Sequence, residues 1–245
     1  MQTPAEPALR PRLSPQAHPG PDPPGHGKPA AAAGRAPTVR RRVGGIVLAA
    51  GASTRAGCPK ALATIDGEPL VGRATRVLAE GGVDQVVVVV GPPHGEEVAR
   101  ALREHGRIPI TDELRLLQND DPGRGMLSSL KVALTHGATD AWDAAVVVLV
   151  DQPHVRAADV AALLGAFRST SVRIVRVAAG QRRGHPYLVA RSVFAELLAA
   201  PDDLGPRPVL TGLSPAMTVD VGDPRVLDDV DTPADLAAAG VKPPL

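Results

Sequence analysis

Short apolar runs alternate with amphipathic segments from Val43 to the end of the chain. The apolar runs predict strands at 44–49, 85–90, 114–118, 144–150 and 172–177. The segments between and after them predict helices at 70–80, 96–105, 126–136, 157–167, 192–199 and 233–239. Strands that alternate with helices are typical of βαβ units. The pattern therefore predicts an α/β fold with a mostly parallel central sheet.

Two of the runs, 86–90 and 146–150, are rich in valine and predict central strands that are buried on both faces. In open α/β sheets, ligands bind beyond the carboxyl ends of the strands. The loops that follow Ala49, Val90, Gln118 and Val150 are therefore expected to share one rim of the sheet. Functional residues are sought in these loops first.

Composition divides the chain of 245 residues in two. Residues 1–42 contain ten of the 26 prolines and almost no large apolar side chain, so we predict a disordered tail rich in Pro, Ala and Arg. Residues 43–245 are then expected to form one domain. The cluster Arg40–Arg41–Arg42 is interpreted as the solvated end of the tail, with a weak polyanion contact as the alternative.

Charge and cysteine content limit the kinds of partner. The first 42 residues carry a net charge of +5 and the whole chain carries +1, so the net charge of the predicted domain is near −4. Aromatic residues make up 2% of the whole chain. Such a surface does not favour nucleic-acid binding. No secretory h-region or membrane-length apolar run is present, and Cys58 is the single cysteine. We therefore expect a cytoplasmic protein that binds neither nucleic acid nor membrane.

The segment after the first predicted strand has the character of a phosphate-binding loop. It reads LAAGASTRAGCPK from Leu48 to Lys60. Gly51 and Gly57 allow backbone N–H groups to approach an anion, while Arg55 and Lys60 add positive charge. Ser53 and Thr54 supply hydroxyl groups. The spacing matches neither the P-loop nor GxGxxG. A loop around a nucleoside triphosphate and an ordinary Gly/Ser turn remain the two interpretations.

A carboxylate follows another predicted central strand directly. Asp151 comes after the run AVVVLV, so its side chain is expected at the same rim as the glycine-containing loop. A carboxylate there is suited to hold Mg²⁺ against a triphosphate. The alternative is that Asp151 caps a helix starting near Val155, although four residues is a poor distance for an N-cap.

Three further segments contain candidate ligands. NDDPGRGMLSSL carries Asn119, Gly125 and Ser129 at a predicted strand-to-helix loop, either for a polar ligand or for simple helix capping. GHPYL holds His185, a lone histidine, in a loop expected to be fixed by its Gly and Pro neighbours. DDVDTPADL places Asp229 and Asp231 on one side of an extended segment before a helix that starts at Thr232–Pro233. These carboxylates could complete a metal site with Asp151 or support that helix electrostatically.

Together these segments resemble a known family. LAAGASTRAGCPKAL, NDDPGRGMLSSL, LVDQPHV, RGHPYLVARSVFAELL, DLGPR and DVDTPADL occur in the order seen in the molybdenum cofactor cytidylyltransferase group of the MobA-like nucleotidyltransferase superfamily. The resemblance covers about Val43 to Gly240. It implies a Rossmann-like three-layer nucleotidyltransferase fold and Mg²⁺-dependent transfer of a nucleoside monophosphate.

The resemblance also implies roles for individual residues. Catalysis is assigned to Arg55, Lys60 and Asp151, and the metal to Asp151 and Asp231, with Asp229 as second choice. His185 is carried over as an acceptor-side residue. The nucleotide-binding set is Leu48, Ala49, Ala50, Gly51, Ser53, Gly57, Asn119, Gly125 and Ser129. Ala56 departs from the family, which commonly has Met at that position.

The choice of base depends on Ala50. Relatives that use GTP usually read LAGG where this chain reads LAAG, and the extra methyl group should narrow the space for a purine. GHP and DxGxR, at Gly184–Pro186 and Asp203–Arg207, also resemble the cytidylyl branch. The expected reaction joins CMP from CTP to a molybdopterin-type cofactor and releases pyrophosphate. A molybdoenzyme or its insertion chaperone would receive the product. The rivals are a GTP-dependent or sugar-phosphate enzyme and a non-catalytic nucleotide-binding regulator.

Overall fold

The computed structural model describes residues 40–105 and 113–244, and within them a seven-stranded sheet is the centre of the fold. The spatial order of its strands is β5-β4-β1-β6-β8-β7-β9. The strands are β1 Val43–Leu48, β4 Gln85–Val90, β5 Leu114–Gln118, β6 Ala144–Leu149, β7 Ile174–Ala179, β8 Arg182–Ala190 and β9 Ala216–Asp220; β2 Thr64–Ile65 and β3 Glu68–Pro69 form a separate hairpin. β8 runs antiparallel to both of its neighbours, while the other paired strands of the sheet are parallel. The predicted α/β class with a mostly parallel sheet is confirmed.

Helices cover both faces of this sheet. They are α1 Leu70–Glu80, α2 Gly95–His105, α3 Met126–Thr139, α4 Ala157–Arg168, α5 Phe194–Ala199, α6 Arg207–Thr211 and α7 Pro233–Ala238. Apolar side chains from α1, α2 and α4 fill one face, and those from α3, α5 and α6 fill the other. This gives the three-layer arrangement expected of the fold. Within the described residues, no helix is long and apolar enough to cross a membrane.

Strands β1, β4, β5 and β6 follow the predicted boundaries within one residue, and three of them are buried on both faces. Every residue of β1, β4 and β6 is buried. Trp142 lies in the core beside β1, and its Nε1 donates to Gln85 Oε1 at 2.9 Å. A Cβ added to Gly44 would lie 2.2 Å from the Trp142 ring, so only glycine allows this packing.

The other half of the sheet departs from the prediction. β7 begins at Ile174 rather than Val172, and β8, β9 and α6 were not predicted. His185 was expected in a fixed loop, but it lies inside β8 at a register shift opposite Arg176 and Val177. Charged residues, a glycine and a proline interrupt the apolar pattern of β8. Its strand conformation is therefore imposed by pairing with β6 and β7 rather than by the preferences of its own residues.

The three arginines before β1 belong to the folded part, which corrects their interpretation as a solvated tail end. Arg40 pairs with Asp84 at 2.6 Å. Arg41 donates to the carbonyl oxygens of Phe167 and Thr170 and lies over the Phe167 ring. These contacts fix the chain at the entry to β1. The rest of the predicted disordered tail 1–42, residues 1–39, lies outside the described residues.

Candidate active site

A cleft with a volume of about 270 Å³ opens at the carboxyl ends of β1 and β6. Its floor comes from the strand ends, one wall from the segment after β1, and the other wall from the start of α3. Most of the residues predicted for the site line it: Leu48, Ala49, Ala50, Gly51, Ser53, Arg55, Lys60, Gly125, Ser129, Asp151 and Asp231. Gly57, Asn119, Asp229 and His185 do not line it.

The loop after β1 is folded so that Lys60 points back into the cleft. Ser53 adopts a left-handed conformation with φ 54°, and its Oγ accepts a hydrogen bond from the Lys60 backbone N–H at 3.1 Å. Gly57 also has a positive φ of 70° and closes the short 3₁₀ turn Thr54–Ala56. Gly57 therefore shapes the loop without facing the cleft. In a plain surface turn the lysine side chain would be exposed to solvent, whereas Lys60 is only 8% exposed.

Lys60 lies between two carboxylates. Its Nζ is 2.6 Å from Asp151 Oδ2 and 2.9 Å from Asp231 Oδ1. Burial alone would disfavour the charged amine, but the two carboxylates outweigh that effect and raise the pKa of Lys60. Arg55 NH1 reaches the other oxygen of Asp231 at 3.0 Å. The four residues form a continuous ion-pair network in the cleft, from the buried Lys60 to the exposed Arg55.

Backbone pairing brings Asp231 to Asp151 from far along the chain. The Val230 N–H donates to the Asp151 carbonyl oxygen at 2.8 Å. Thr232 then caps α7 in a capping box with Asp235, as the Thr–Pro sequence predicts. The alternative role for Asp151 as a helix cap is wrong, because α4 begins at Ala157 behind Arg156.

Asp229 lies beside this network but serves a different contact. Its Oδ1 accepts a hydrogen bond from Gln152 Nε2 at 2.8 Å. Burial, with smaller contributions from Asp151 and Asp231, raises the pKa of the Asp229 carboxyl group. Since Asp229 does not line the cleft, Asp231 is the better placed of the two predicted carboxylates.

The ion pairs leave one carboxylate oxygen without a partner, and this oxygen is suited to bind a divalent cation. Asp151 Oδ1 is buried and has no hydrogen-bond partner among the described residues. The same part of the chain contains no group of three or more His, Cys, Asp or Glu side chains that could hold a metal. Mg²⁺ commonly binds through one or two carboxylates and completes its shell with phosphate and water. Asp151 and Asp231 match that ligand set.

Asn119 organises the opposite wall rather than contacting the cleft. It is 2% exposed, and its Nδ2 donates to the hydroxyl groups of Ser128 and Ser129 at 2.9 Å each. Its Oδ1 accepts from the Asp121 N–H at 3.1 Å. Gly125, with φ 109°, turns the chain into α3. Neither serine caps α3 through its side chain, so the simple capping interpretation does not hold.

Ala50 lies where the ends of β1 and β4 meet. It is 3% exposed, and a Cβ built on Gly91 would lie 3.2 Å from the Ala50 Cβ. The Ala50 methyl group therefore fills the space in front of Gly91. A glycine at position 50 would leave this space open at the side of the cleft.

His185 does not line the cleft. The residue is partly exposed, but its Nε2 is buried and has no hydrogen-bond partner among the described residues. Burial lowers the pKa of His185 to about 4, with a partial offset from the nearby Asp151. The imidazole is therefore neutral at pH 7.

Several cleft residues were not in the predicted set. They have apolar or small side chains and are Ala56, Ala61, Pro122, Met126, Leu149 and Val150. Thr54, whose hydroxyl group was expected in the loop after β1, lines the cleft as well. Leu149 and Val150 directly precede Asp151, so their position at a strand end was a usable signal. Met126 is 44% exposed at the start of α3 and directly follows the predicted Gly125, so its place in the segment NDDPGRGMLSSL was a usable signal as well.

Comparison with known proteins identifies the family of the chain. The model of the MobA-like NTP transferase domain matches residues 45–217. Nicotine blue oxidoreductase from Paenarthrobacter nicotinovorans is 32% identical over 201 residues, which is 78% of this chain and 92% of that protein. The Opitutus terrae protein named "Probable molybdenum cofactor guanylyltransferase" is 36% identical over 136 residues, which is 56% of this chain and 61% of that protein.

Solved structures give the same result. Rv0371c from Mycobacterium tuberculosis H37Rv superposes with a TM-score of 0.68 at 28% identity, over 81% of this chain and 96% of that chain. A complex of Rv0371C with manganese matches with a TM-score of 0.63 at 26% identity, over 80% and 97% of the two chains. The chain belongs to the MobA-like NTP transferase family and is an enzyme of the nucleotidyltransferase kind.

Proposed function

We propose that the enzyme transfers CMP from CTP to the terminal phosphate of a molybdopterin-type cofactor and releases pyrophosphate. The observation that carries this proposal is the network of Arg55, Lys60, Asp151 and Asp231 in a cleft beside the loop after β1. It combines cations for a triphosphate with carboxylates for a divalent cation. Such a cluster is suited to phosphoryl chemistry, where positioning and charge neutralisation dominate.

The residues divide into two tasks. Arg55 and Lys60 would bind the β- and γ-phosphates and stabilise the charge that develops on pyrophosphate. Asp151 and Asp231 would hold Mg²⁺, which when bound neutralises phosphate charge and polarises the α-phosphoryl group. Lys60 must exchange at least one carboxylate for a phosphate oxygen as the nucleotide enters. The ion pairs therefore keep the charges in place before substrate binds.

The proposed reaction needs little covalent work from the protein. A phosphate oxygen of the acceptor attacks the α-phosphorus in line, and the bond between that phosphorus and the α–β bridging oxygen breaks. Pyrophosphate leaves with the bonding electrons. An ionised phosphate has no proton to lose at the attacking oxygen, so no general base is required.

The preference for CTP rests on Ala50. Its methyl group occupies the space before Gly91, on the side of the cleft formed by the strand ends. A smaller base suits the narrower space. The similar Opitutus terrae protein is named for guanylyl transfer, which makes GTP the second candidate donor.

A regulatory role and a redox role have weaker support. A non-catalytic regulator would not need the ion-paired Lys60 and Asp151. The similar nicotine blue oxidoreductase is named for a redox activity. This chain lacks the GxGxxG spacing of a dinucleotide-binding loop. A cytoplasmic location and delivery of the product to a molybdoenzyme or its insertion chaperone complete the proposal.

A donor panel tests the reaction. Purified protein with Mg²⁺ would receive each α-³²P-labelled nucleoside triphosphate, with Mo-molybdopterin or a sugar phosphate as acceptor. The readouts are pyrophosphate release and transfer of label, with NAD(P)H consumption measured in parallel. We expect turnover with CTP and the pterin acceptor, and at least about tenfold less with GTP. Nucleotide binding without turnover on any acceptor would instead favour a regulator.

Ala50→Gly is the matched variant for the base preference. Removing one methyl group in a pocket changes discrimination by about 1 kcal/mol, so the CTP/GTP ratio should fall about five- to tenfold. The Ala63→Gly variant controls for a general glycine effect, because Ala63 is buried outside the cleft. A wild-type preference for GTP, or an unchanged ratio in Ala50→Gly, would defeat the argument from Ala50.

A further inference from the structure

One face of the β7–β8 pair carries cationic and polar side chains next to the cleft. Arg176 on β7 is the cross-strand partner of Tyr187 on β8, and Ala178 is the partner of Arg183. Arg176 lies two residues after Ile174, which packs in the same core layer as Tyr187. Arg176, Arg183 and Tyr187 therefore project from the same face of the sheet.

The two arginines lack acidic partners. Arg176 is half-buried, and its guanidinium donates to the Leu210 carbonyl oxygen. Arg183 is exposed, and across residues 40–105 and 113–244 neither arginine forms an ion pair with a carboxylate. Burial, and then the proximity of Arg183, lowers the pKa of Arg176. Two like charges thus stand together without neutralisation, whereas the adjacent Arg182, on the opposite face, pairs with Asp228 at 2.8 Å.

Two buried polar atoms next to the arginines are also unsatisfied. Tyr187 is 3% exposed, and its hydroxyl group has no hydrogen-bond partner among the described residues. His185 Nε2 is in the same condition, and the two rings lie 4.7 Å apart. Burial raises the pKa of Tyr187, so its hydroxyl group stays protonated and can donate. Buried polar atoms without partners are rare and call for an explanation.

The position of this face relates it to the cleft. β8 pairs with β6 up to Val147 and Tyr187, so the residues before Tyr187 run alongside the end of β6. That end carries Leu149 and Asp151, which line the cleft. His185 lies close enough to Asp151 for the carboxylate to affect its pKa. The face therefore lies beside the strand end that carries Asp151, next to the residues that line the cleft.

We propose that Arg176, Arg183, His185 and Tyr187 form a subsite for the phosphomonoester group of the acceptor. Two guanidinium groups match the charge of a phosphate dianion, and the Tyr187 hydroxyl group supplies a neutral donor. In the proposed reaction the cations of the loop after β1 bind the β- and γ-phosphates of the donor, so an acceptor phosphate needs cations of its own. The assignment as an acceptor subsite rests on the proposed nucleotidyl transfer. The proposal that these residues bind an anion does not depend on nucleotidyl transfer.

Phosphate binding can be measured without turnover because Tyr187 is the single tyrosine of the chain. Full-length protein labelled with 3-fluorotyrosine would give one ¹⁹F resonance. Inorganic phosphate is titrated at constant ionic strength, with chloride as the reference. We expect a saturable shift of this resonance in wild type, and at least about fivefold weaker binding in Arg183→Gln. Arg182→Gln is the matched control, since its side chain lies on the other face.

Arg176→Gln is the second variant, with its melting temperature measured because it loses the contact with Leu210. An absent or non-saturating shift in folded wild type overturns the subsite, as does equal phosphate affinity in wild type and Arg183→Gln.

Steady-state kinetics then separate the proposed subsite from the proposed function. Arg183→Gln should raise KM for the acceptor at least about fivefold and leave KM for CTP unchanged. Arginine-dependent phosphate binding without nucleotidyl transfer would defeat the proposed function alone. Transfer with an unchanged acceptor KM in Arg183→Gln would defeat the subsite alone.

Discussion

Two polar clusters at the same rim of the sheet differ in how their charges are balanced. In the cleft, Lys60 and Arg55 are paired with Asp151 and Asp231 at 2.6 to 3.0 Å. On the β7–β8 face, Arg176 and Arg183 have no carboxylate partner among the described residues. The first cluster is neutralised internally, and the second carries a positive charge that no described carboxylate offsets.

The difference indicates how each cluster would respond to an anion. A triphosphate entering the cleft must compete with two carboxylates, so its binding requires an exchange of partners. A divalent cation would favour this exchange, because it can replace Lys60 between the carboxylates. A phosphate on the β7–β8 face would meet cations and unsatisfied donors without any exchange. The cleft should therefore depend on metal, whereas the β7–β8 face should not.

Among the variants considered, Asp151→Ala should change the activity of the cleft most and leave phosphate binding on the β7–β8 face intact. It removes the carboxylate with a buried, unpartnered oxygen, and we expect turnover to fall at least about 10³-fold. Phosphate binding detected at Tyr187 should persist. Pyrophosphate release and the ¹⁹F titration measure the two properties on the same protein.

Asp228→Ala is the control for this variant, because Asp228 forms an exposed ion pair with Arg182 away from the cleft. Its turnover should match wild type. Circular dichroism spectra of both variants check that the fold is retained. Wild-type turnover in a folded Asp151→Ala protein would contradict the assignment of the cleft as the active site.

Lys60→Met is expected to reduce kcat about 10²-fold, since it removes one of the two cations proposed to stabilise the leaving pyrophosphate. It also leaves Asp151 and Asp231 facing each other without the amine between them. Mg²⁺ or Mn²⁺ should then raise the melting temperature more in Lys60→Met than in wild type, because the metal no longer competes with Lys60. Thermal unfolding at increasing metal concentration measures this difference.

Lys131→Met provides the matched control. Lys131 is a partly buried lysine paired with Asp202 at 2.7 Å, outside the cleft. Its metal-dependent shift should equal that of wild type. If Lys60→Met responds to metal no more than Lys131→Met, the two carboxylates do not form a cation site that Lys60 occupies.

The strands beside the cleft and the β7–β8 pair also differ in how well the sequence predicted them. β1, β4 and β6 are apolar almost throughout, so their burial and boundaries were evident from residue type alone. β8 mixes charged residues, glycine and proline with apolar ones, and its conformation depends on two neighbouring strands. No local pattern can report such pairing. The arginines before β1 were misinterpreted for the same reason, since the carbonyl groups that hold Arg41 come from the end of α4 and the segment after it.

Prediction of the site was limited in the same way. Lys60 and Asp151 follow strand ends, so the rim of a parallel sheet brings them together by rule. The residues alone left Asp229 and Asp231 both open as metal ligands beside Asp151, and the resemblance to a known family favoured Asp231. Asn119 was predicted to bind nucleotide, but its amide donates to two serine hydroxyl groups. Arg176 lay within the predicted strand 172–177 and Arg183 opened the segment RGHPYL, where only His185 was singled out, so neither arginine was predicted to bind a ligand.

The smallest expected effect concerns the stability of the β7–β8 face. Burial lowers the pKa of His185 to about 4, below the value of about 6.5 for an unfolded chain. Between these two values the unfolded chain binds a proton that the native protein does not. The free energy of unfolding therefore decreases as the pH falls from 6.5 to 4, and the contribution is fully present above pH 6.5.

His185→Gln should remove this part of the pH dependence. We expect wild type to lose about 2–3 kcal/mol more stability than the variant between pH 6.5 and pH 4. Urea unfolding at a series of pH values measures it, and His94→Gln, on a partly exposed residue at the start of α2, controls for the loss of an imidazole. Both proteins share every carboxylate, so those titrations cancel in the difference. Parallel stability curves for wild type and His185→Gln would mean that the imidazole is solvated, and the β7–β8 face would then lose one of the two unsatisfied buried groups that distinguish it from the cleft.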